Sequence, residues 1–296
     1  MRRVTVGIPA YNEEQNIVNL LQSLEGQRPL ISEVIISDDS SDRTPAIVSE
    51  FAKSSPLAIT HFHHGTRRGA GSAWNEIFQK ASGDTIVLYD ADTIPHPSCT
   101  EQLGSRISEG TTLCASNSQP VQAARIAGRA SVFISSWLRS VRLTGLSQFT
   151  VMGRALAIDA AVAKKIQIPD IIAIDLYLQC RVLEMGLNVT YNDNAVVYFK
   201  PATSMQDLAS QVVRAVNGHN QLKGLVSLLN IGLSPHVALA QALKNAAINP
   251  LGAISAIIGY SLMPYYRSRL ENAESGKWQT ADSSKAIDYE QLKARF

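Results

Sequence analysis

The sequence predicts an α/β fold in which helices flank a sheet, followed by a helical, apolar C-terminal region. Short β-branched segments alternate with segments of helical periodicity over the first hundred residues, which is typical of βαβ units. Polar segments directly follow three of these predicted strands, and ligands of such folds bind at the carboxyl ends of the strands. The last hundred residues include a long stretch that is poor in charge.

Four strands and three helices are predicted for the first hundred residues. Runs rich in apolar and β-branched residues predict strands at residues 4–8, 34–36, 57–62 and 85–89. The first helix begins near Glu13 and ends at Gly26, because isoleucine and leucine recur between them at helical spacing. A second helix opens at Thr44-Pro45, since proline suits the first helical turn, and a third covers residues 70–81.

The rest of the chain is predicted to be mixed and then helical. Helices are expected at residues 122–143, 175–185 and 205–223, and strands at residues 151–158 and within 187–199. Between residues 225 and 266, Lys244 is the only Lys, Arg, Asp or Glu. Residues 246–263 are almost continuously apolar, which is borderline in length for a spanning helix. A helix pair lying on a membrane and a buried or oligomer-forming helix are the alternatives.

Composition excludes several classes of protein. A net charge of +2 without a basic stripe argues against a nucleic-acid partner. Cys99, Cys114 and Cys180 are widely spaced, which argues against a disulfide framework or a zinc site and favours a reducing compartment. The N-terminus shows no apolar signal-peptide region, so we expect the domain to face the cytoplasm.

The segment Asp90-Ala91-Asp92 carries the most specific chemistry. It directly follows the predicted strand 85–89. Two carboxylates one residue apart can bind a hard divalent cation such as Mg²⁺ or Mn²⁺, and such a cation would neutralise charge on a leaving diphosphate. The alternative is an acidic loop without a ligand.

Two more polar segments follow predicted strands. In Asp38-Asp39, one carboxylate is a candidate to accept a hydrogen bond from a pyrimidine base. The alternative is a solvated turn in which Asp42 caps the next helix. Pro9-Ala10-Tyr11 and Glu13 follow the first strand and are candidates to line the same nucleotide pocket, or else form an ordinary turn.

Two groups of basic residues come next. Arg67 and Arg68 precede a helix together with glycines, an arrangement that suits contact with phosphate or ribose, although a surface loop is an equal alternative. His61, His63 and His64 are interpreted as ordinary histidines at a strand end rather than as metal ligands.

Three of these motifs, in this order, resemble inverting glycosyltransferase family 2. They are residues 4–13 (VTVGIPAYNE), 34–42 (VIISDDSSD) and 90–92 (DAD). The resemblance implies a GT-A fold, with a Rossmann-like mixed sheet flanked by helices. It further implies a nucleotide-sugar-binding half at residues 1–100 and an acceptor-binding half at 101–204. The residue pattern beyond them predicts C-terminal helices that can contact a membrane at 205–270 and a polar, loosely held tail at 271–296.

The resemblance also implies roles for the donor-site residues. Asp39 matches the carboxylate that reads the base of a uridine diphosphate sugar. Asp92 matches the metal ligand, and Asp90 would reach the ribose, the sugar or a metal-bound water. We therefore expect the nucleotide to be bound by Pro9, Ala10, Tyr11, Glu13, Asp39, Arg68, Asp90 and Ala91.

The expected catalytic base is Asp175. The segment Ile174-Asp175-Leu176, with Arg181 beyond it, is similar to the family's Glu-Asp motif. Asp175 falls on the position of the base that deprotonates the acceptor hydroxyl for in-line attack at the anomeric carbon. Ile174 replaces the preceding Glu of the family. Asp170 is an alternative base, and a helix N-cap is the non-catalytic interpretation of Asp175.

A last motif lies on the predicted helix 205–223. Gln211-Val212-Val213-Arg214-Ala215 resembles the family's QxxRW segment with the tryptophan absent. Because that tryptophan helps processive members to hold a polymer, Ala215 favours transfer of a single sugar. Arg214 is expected to hold the diphosphate, and His219 to contact phosphate or metal. A surface position on the helix is the alternative for both.

The sequence thus predicts a metal-dependent inverting glycosyltransferase. Its donor would be a nucleotide diphosphate sugar, with uridine expected, and its acceptor a lipid, polyprenyl phosphate or glycan. The enzyme would be cytoplasmic, and peripheral or anchored at the cytoplasmic face of a membrane that residues 225–266 contact. A catalytically inactive nucleotide-sugar-binding protein is one alternative. A sugar nucleotidyltransferase is another, but it would need a glycine-rich turn after the first strand, and residues 7–11 lack one. The same absence argues against a dinucleotide-binding oxidoreductase.

Overall fold

An eight-stranded mixed sheet organises residues 4–199 in a computed structural model, which describes residues 3–27, 30–121, 123–144, 153–265 and 289–293. The strands are β1 (Val4–Ala10), β2 (Ile31–Asp38), β3 (Ile59–His63), β4 (Thr85–Tyr89), β5 (Thr93–Pro95), β6 (Leu113–Pro120), β7 (Ala155–Asp159) and β8 (Val189–Phe199). Their order across the sheet is β3-β2-β1-β4-β7-β6-β8-β5. The two predicted halves of the domain therefore share one continuous sheet.

The first half is built from parallel βαβ units, as predicted. Strand β1 pairs in parallel with both β2 and β4, and β2 pairs in parallel with β3. The connecting helices are α1 (Ile17–Glu25), α2 (Thr44–Ser54) and α3 (Ala70–Lys80). Helix α1 begins later than the sequence suggested, because residues 13–16 form a turn in which Ile17 N–H donates to Glu13 O at 2.9 Å.

The second half introduces antiparallel pairing. Strand β7 lies antiparallel between β4 and β6, whereas β8 runs parallel to β6 and antiparallel to β5. Its helices are α4 (Cys99–Ser108), α5 (Ile126–Arg142), α6 (Ala160–Ala163) and α7 (Ile174–Glu184). Sequence reasoning missed β5, α4 and β6. The predicted strand at 151–158 is found as β7, and residues 151 and 152 lie outside the described residues.

Two apolar cores cover the two faces of the sheet. Alternate residues of each strand enter opposite cores, so that in β4 Val87 contributes to one core and Leu88 to the other. Helices α1, α2 and α4 cover the first face, and α3 and α7 cover the second. Helix α3 approaches the sheet so closely that a Cβ at Gly7 would overlap Ile77. Glycine is therefore required there by the helix–strand distance rather than by the backbone conformation.

The C-terminal region is helical, as expected. It comprises α8 (Met205–Gln221), α9 (Lys223–Leu228), α10 (Pro235–Ile248), α11 (Pro250–Ser261) and α12 (Tyr289–Lys293). Asn249-Pro250 divides the apolar stretch in two, because Asn249 caps α11 by accepting a hydrogen bond from Gly252 N–H at 2.9 Å. Within the residues that the structure describes, no helix has both the length and the apolar character needed to cross a bilayer.

Helix α11 has its polarity reversed relative to a helix on the surface of a soluble domain. Its buried residues are small: Gly252, Ser255, Ala256 and Gly259. Its large aliphatic side chains point outward: Leu251, Ile254, Ile257, Ile258 and Leu262 are all at least 40% exposed. The small face packs on α5, and Leu239, Leu243 and Ile248 of the neighbouring α10 are also exposed. The two helices α10 and α11 thus present an apolar surface, which we call the apolar helix pair.

The polar tail includes one described helix, α12. Residues 271–288 and 294–296 lie outside the described residues, but α12 packs against the edge of the sheet. Leu292 is buried against Ile94 of β5, beside Tyr289. In the described part of the tail, two apolar side chains three residues apart lie on one face of a helical turn and cover β5.

Candidate active site

The predicted donor-site residues lie at the carboxyl ends of three adjacent strands. Strands β2, β1 and β4 are neighbours, and Asp39, Ala10 and Asp90 lie at or directly after their ends. Asp39 N–H donates to Ala10 O at 3.1 Å, which joins the first two strand ends. The order of strands therefore aligns the three sequence motifs along one edge of the sheet.

Asp39, at the end of β2, accepts the hydrogen bonds that hold the loop containing Arg68 and Gly69. The side chain is buried, and its Oδ2 accepts hydrogen bonds from the backbone N–H groups of Arg68 at 2.6 Å and Gly69 at 3.0 Å. Its Oδ1 accepts a hydrogen bond from Arg68 Nε at 3.0 Å. Arg68 also donates to Glu76 and Ser37, both at 3.0 Å. The guanidinium predicted to contact the nucleotide is thus directed at protein carboxylates, and Arg68 fixes the loop onto Asp39.

Tyr11 lies at the mouth of the same region. The Arg67 guanidinium stacks over its ring, 3.8 Å from the centroid. The turn that carries Tyr11 is held to the Asp39 turn, since Asn12 N–H donates to Ser40 Oγ at 2.7 Å and Ser41 N–H donates to Asn12 Oδ1 at 2.9 Å. Arg67 rather than Arg68 therefore faces this part of the cleft.

The three histidines lie beside two carboxylates, those of Asp38 and Glu76. His61 Nε2 lies 3.0 Å from Asp38 Oδ2, and His63 Nδ1 lies 3.6 Å from the same oxygen. His64 Nε2 lies 2.9 Å from Glu76 Oε2. Burial acts to raise the pKa of Asp38, but the hydrogen bonds from His61 and Ser40 outweigh it and lower that pKa. These contacts agree with ordinary histidines at a strand end.

Asp90 and Asp92 meet a partner that the sequence did not reveal. Both carboxylate oxygens of Asp92 accept hydrogen bonds from Arg154 Nη1, at 2.8 and 2.9 Å. The same Nη1 lies 3.9 Å from Asp90 Oδ2. The guanidinium also lies over the ring of Phe199, 4.2 Å from its centroid. Arg154 thus provides the positive charge nearest to the predicted metal ligand.

Strand register explains the position of Arg154. In the β4–β7 pair Tyr89 lies opposite Ala155, so the next residues, Asp90 and Arg154, also face each other. Asp90 N–H donates to Arg154 O at 3.0 Å. The preceding Gly153 has a φ of +82°, and a Cβ there would overlap Ser118, whose Oγ accepts a hydrogen bond from Arg154 N–H at 3.0 Å. Only the antiparallel register could have identified Arg154, and sequence periodicity does not specify it.

Asp175 lies in the first turn of α7, which begins one residue earlier than predicted. Ala173 occupies the cap position, so Asp175 does not serve as the N-cap. Its Oδ1 accepts a hydrogen bond from Leu176 N–H at 2.9 Å. Asp170, the alternative base, is exposed and precedes the helix.

Charges of both signs act on one another at this end of the cleft. Burial and then the charge of Asp92 raise the pKa of Asp90 to about 7, although Arg154 and Arg214 oppose the change. Burial raises the pKa of Asp175, offset only in part by the Leu176 N–H group, Arg214 and His219. The structure therefore brings Asp90, Asp92, Asp175, Arg214 and His219 into one electrostatic group, which Arg154 joins, and Glu13 acts on Arg154 as well.

A second arginine near Asp175 also escaped the sequence analysis. Arg142 ends α5, is buried, and lies 5.5 Å from the centroid of the Tyr191 ring. Burial lowers the pKa of Arg142, and Tyr191 and Asp175 oppose that change. Its charge is therefore a further positive charge that acts on Asp175.

The residues present fit a divalent cation that is shared with a phosphate group. Across the described ranges, no three His, Cys, Asp or Glu side chains form a group that could hold a metal ion by themselves. Mg²⁺ is usually held by one or two carboxylates together with waters and substrate phosphates. Asp92, with Asp90 beside it, meets that requirement once a phosphate is bound.

Comparison with known proteins agrees with the family resemblance of the N-terminal part of the chain. Residues 5–139 match the family model described as Glycosyl transferase family 2. Glycosyltransferase AglD of Haloferax volcanii is 35% identical over 113 residues, which are 36% of this chain and 18% of that protein. Dolichol-phosphate mannosyltransferase of Pyrococcus furiosus is 30% identical over 113 residues, or 38% of this chain and 32% of that protein. The chain thus aligns with less than a third of the length of either relative.

A solved structure extends the similarity of fold. Mannosyltransferase PcManGT from Pyrobaculum calidifontis, in complex with GDP-Man and Mn²⁺, superposes with a TM-score of 0.61. The superposition covers 91% of this chain and 83% of that chain, at 20% identity. The predicted GT-A-like fold is therefore confirmed.

Proposed function

We propose that this chain, which carries a glycosyl transferase family 2 domain over residues 5–139, transfers one sugar from a nucleotide diphosphate sugar to a hydroxyl or phosphate acceptor with inversion. The observation that carries the proposal is the alignment of Asp39, Ala10 and Asp90 along one edge of the sheet. Asp175 and Arg214 act electrostatically on the last of these residues. In an in-line displacement the base acts on the acceptor, on the face of the anomeric carbon opposite the leaving diphosphate. The electrostatic influence of Asp90 and Arg214 on Asp175 supports a base and a diphosphate site that serve the same sugar.

Asp39 would select the base of the donor. Its Oδ1 accepts one protein hydrogen bond, from Arg68 Nε, and a carboxylate oxygen has room for a second donor. A uracil ring N–H is the donor that we expect. Tyr11 and Arg67, already stacked on each other, would cover the face of the base, with Pro9 and Ala10 beneath. Because Arg68 is engaged with Asp39 and Glu76, its part would be to hold Asp39 in place.

The diphosphate would lie over the end of β4. Asp92 would hold Mg²⁺ or Mn²⁺ with Asp90 beside it, and the cation, when bound, would neutralise charge on the leaving group. Arg214 is one of the arginines that act on these carboxylates and would contact the phosphates directly. His219, exposed on the same helix, would assist it.

Asp175 would act on the acceptor. In the proposed step the acceptor oxygen forms a bond to the anomeric carbon while the bond from that carbon to the diphosphate oxygen breaks. A hydroxyl acceptor passes its proton to Asp175, and the nucleoside diphosphate leaves with the electron pair. A carboxyl whose pKa is raised by burial is suited to hold that proton near neutral pH. Ala215, in place of the tryptophan of processive relatives, agrees with transfer of one sugar.

The apolar helix pair would bring the acceptor to the site by contacting a lipid surface. Its outward side chains are large and aliphatic, whereas the face packed on α5 is made of small residues. Small residues between helices and aliphatic side chains on the outside are the arrangement of helices in lipid. One similar protein is named dolichol-phosphate mannosyltransferase, and dolichol phosphate is a lipid phosphate. We therefore expect a lipid-linked acceptor, such as a polyprenyl phosphate or a glycolipid.

Release of nucleoside diphosphate tests the proposal. The full chain is incubated with UDP- and GDP-sugars, Mn²⁺ or Mg²⁺ and membrane lipid extract, and the UDP or GDP formed is measured with and without lipid. We expect one donor to be consumed only when cation and lipid are both present. Asp92→Ala and Asp175→Asn should lose this activity, whereas Asp193→Asn, which breaks a surface pair with Arg139, should keep it. Binding of a nucleotide sugar without turnover under any condition would support the alternative of an inactive binding protein.

A further inference from the structure

We propose that Arg154 acts as an internal counter-cation for Asp92. Arg154 keeps the divalent cation weakly bound until a nucleoside diphosphate is present, and its side chain then turns from Asp92 to the phosphates. This inference rests on the proposed function. It assigns Arg154 as a positioning residue that sets the order in which cation and donor bind. Sequence reasoning provides no role for this residue.

The contacts of Asp92 support the first part of the proposal. Both of its oxygens accept from one nitrogen of Arg154, at 2.8 and 2.9 Å. The two side chains are each 20% exposed, so water reaches this ion pair only in part. A cation that binds Asp92 must therefore displace the guanidinium or share the carboxylate with it, and both routes place two positive groups beside each other.

The charges around the pair support the second part. Arg154 acts as a cation on Asp90 and Asp92. Arg214 acts on the same two carboxylates and on Asp175. A divalent cation alone would add positive charge to a site in which Arg154 already neutralises Asp92. A cation together with a diphosphate adds little net charge, since the phosphate oxygens balance it. Binding of the two ligands should therefore be strongly coupled.

The anchorage of Arg154 allows the guanidinium to move while the backbone stays. The backbone is fixed on both sides, since Arg154 N–H donates to Ser118 Oγ and Arg154 O accepts from Asp90 N–H, each at 3.0 Å. The guanidinium carbon lies 4.2 Å from the centroid of the Phe199 ring, and this apolar surface allows the guanidinium to shift while its stem stays in contact. Its planar, forked donors suit a phosphate as well as a carboxylate.

Binding of Mn²⁺ to the full chain, measured by electron paramagnetic resonance without any acceptor, tests this inference independently of turnover. Without nucleotide, we expect Arg154→Gln to bind Mn²⁺ about tenfold more tightly than the unmodified protein. Arg154→Lys, which keeps the charge, should resemble the unmodified protein. Arg139→Gln, which removes an exposed guanidinium paired with Asp193, is the matched control and should have no effect.

Adding the nucleoside diphosphate of the preferred donor completes the test. The unmodified protein should then bind Mn²⁺ at least about tenfold more tightly than before, whereas Arg154→Gln should gain much less. Equal Mn²⁺ affinity of Arg154→Gln and the unmodified protein without nucleotide, with normal tightening on its addition, overturns this inference and leaves the proposed function intact. Absence of Mn²⁺ binding in all proteins, with nucleotide present, overturns both. Circular dichroism of each variant establishes that it is folded.

Discussion

Replacing Ile254 and Ile257 together by serine tests whether the apolar helix pair contacts a bilayer. The two side chains are 54% and 66% exposed, so together they present slightly more apolar surface than one fully exposed isoleucine. Burying such a side chain contributes about 1.5–3 kcal/mol, so the double substitution should weaken membrane binding by about 2–4 kcal/mol. That loss corresponds to a partition coefficient lower by a factor of about 30 to several hundred. Because both side chains are more than half exposed, the fold should be preserved.

Flotation of the full chain with liposomes of phosphatidylcholine and phosphatidylglycerol measures this partition coefficient. Val216→Ser, on the exposed side of α8, is the matched control because Val216 is 45% exposed and lies outside the helix pair. It should float as the unmodified protein does. Affinity for the nucleotide sugar, measured without lipid, should be the same for all three proteins, since none of the substituted residues is among those proposed to bind the donor.

Two results would refute the reasoning. One is a double variant that floats within about twofold of the unmodified protein, since the areas above require a larger change. The other is an unmodified protein that does not float but forms a dimer in analytical ultracentrifugation, which the double variant fails to form. In that case the helix pair is covered by a second copy of the chain.

Three further predictions concern the site and the fold. Asp175→Asn should lower the transfer rate by a factor of about 10²–10⁴ and preserve nucleotide-sugar affinity in calorimetry. In the unmodified enzyme, the rate should fall on acidification at a pH above the ordinary pKa range of an aspartate, since burial raises the pKa of Asp175. An unchanged rate in the variant would remove the base assignment. Gly7→Ala should destabilise the fold by about 1–3 kcal/mol in chemical denaturation, because the added Cβ overlaps Ile77, whereas Gly224→Ala, which meets nothing within 4 Å, should not; equal stabilities would contradict the packing. Burial acts to raise the pKa of Glu33, but the hydrogen bonds of its carboxylate outweigh burial and lower that pKa. The stability that this carboxylate contributes at neutral pH should therefore be lost as pH falls below the ordinary glutamate range. The thermal unfolding temperature of Glu33→Gln should depend less on acid pH, and an identical pH dependence would show that the group contributes nothing.

The sequence predicted the parallel half of the fold well, because each of its strands is a short buried run followed by an independent helix signal. The prediction failed at β5, α4 and β6, where local pattern carries less information. Strand β5 has only three residues and is defined by pairing with β8. Helix α4 contains Gly104 in its interior, which weakens its helical signal although the helix is continuous. The second half of β6 is polar because it runs toward Arg154.

The sequence predicted the positions of candidate site residues that directly follow parallel strands. It did not predict the residue whose position depends on the pairing of antiparallel strands. Asp39 and Asp90 could be placed from the chain order of strands, since adjacent parallel strands end at one edge. Arg154 could not, because its position opposite Asp90 depends on the register of β7, and a shift of one residue would direct it to the other face. The orientation of Arg68 toward Asp39 was likewise decided by tertiary contacts that no local signal encodes.

The short helix α12 has a practical consequence for work with this protein. Leu292 covers Ile94, which lies two residues after Asp92 in the chain. A protease that trims a preparation before residue 289 would remove that cover and leave the backbone next to the carboxylate pair without its support. Intact mass at the C-terminal side is therefore a quality criterion for every sample in which cation binding is titrated.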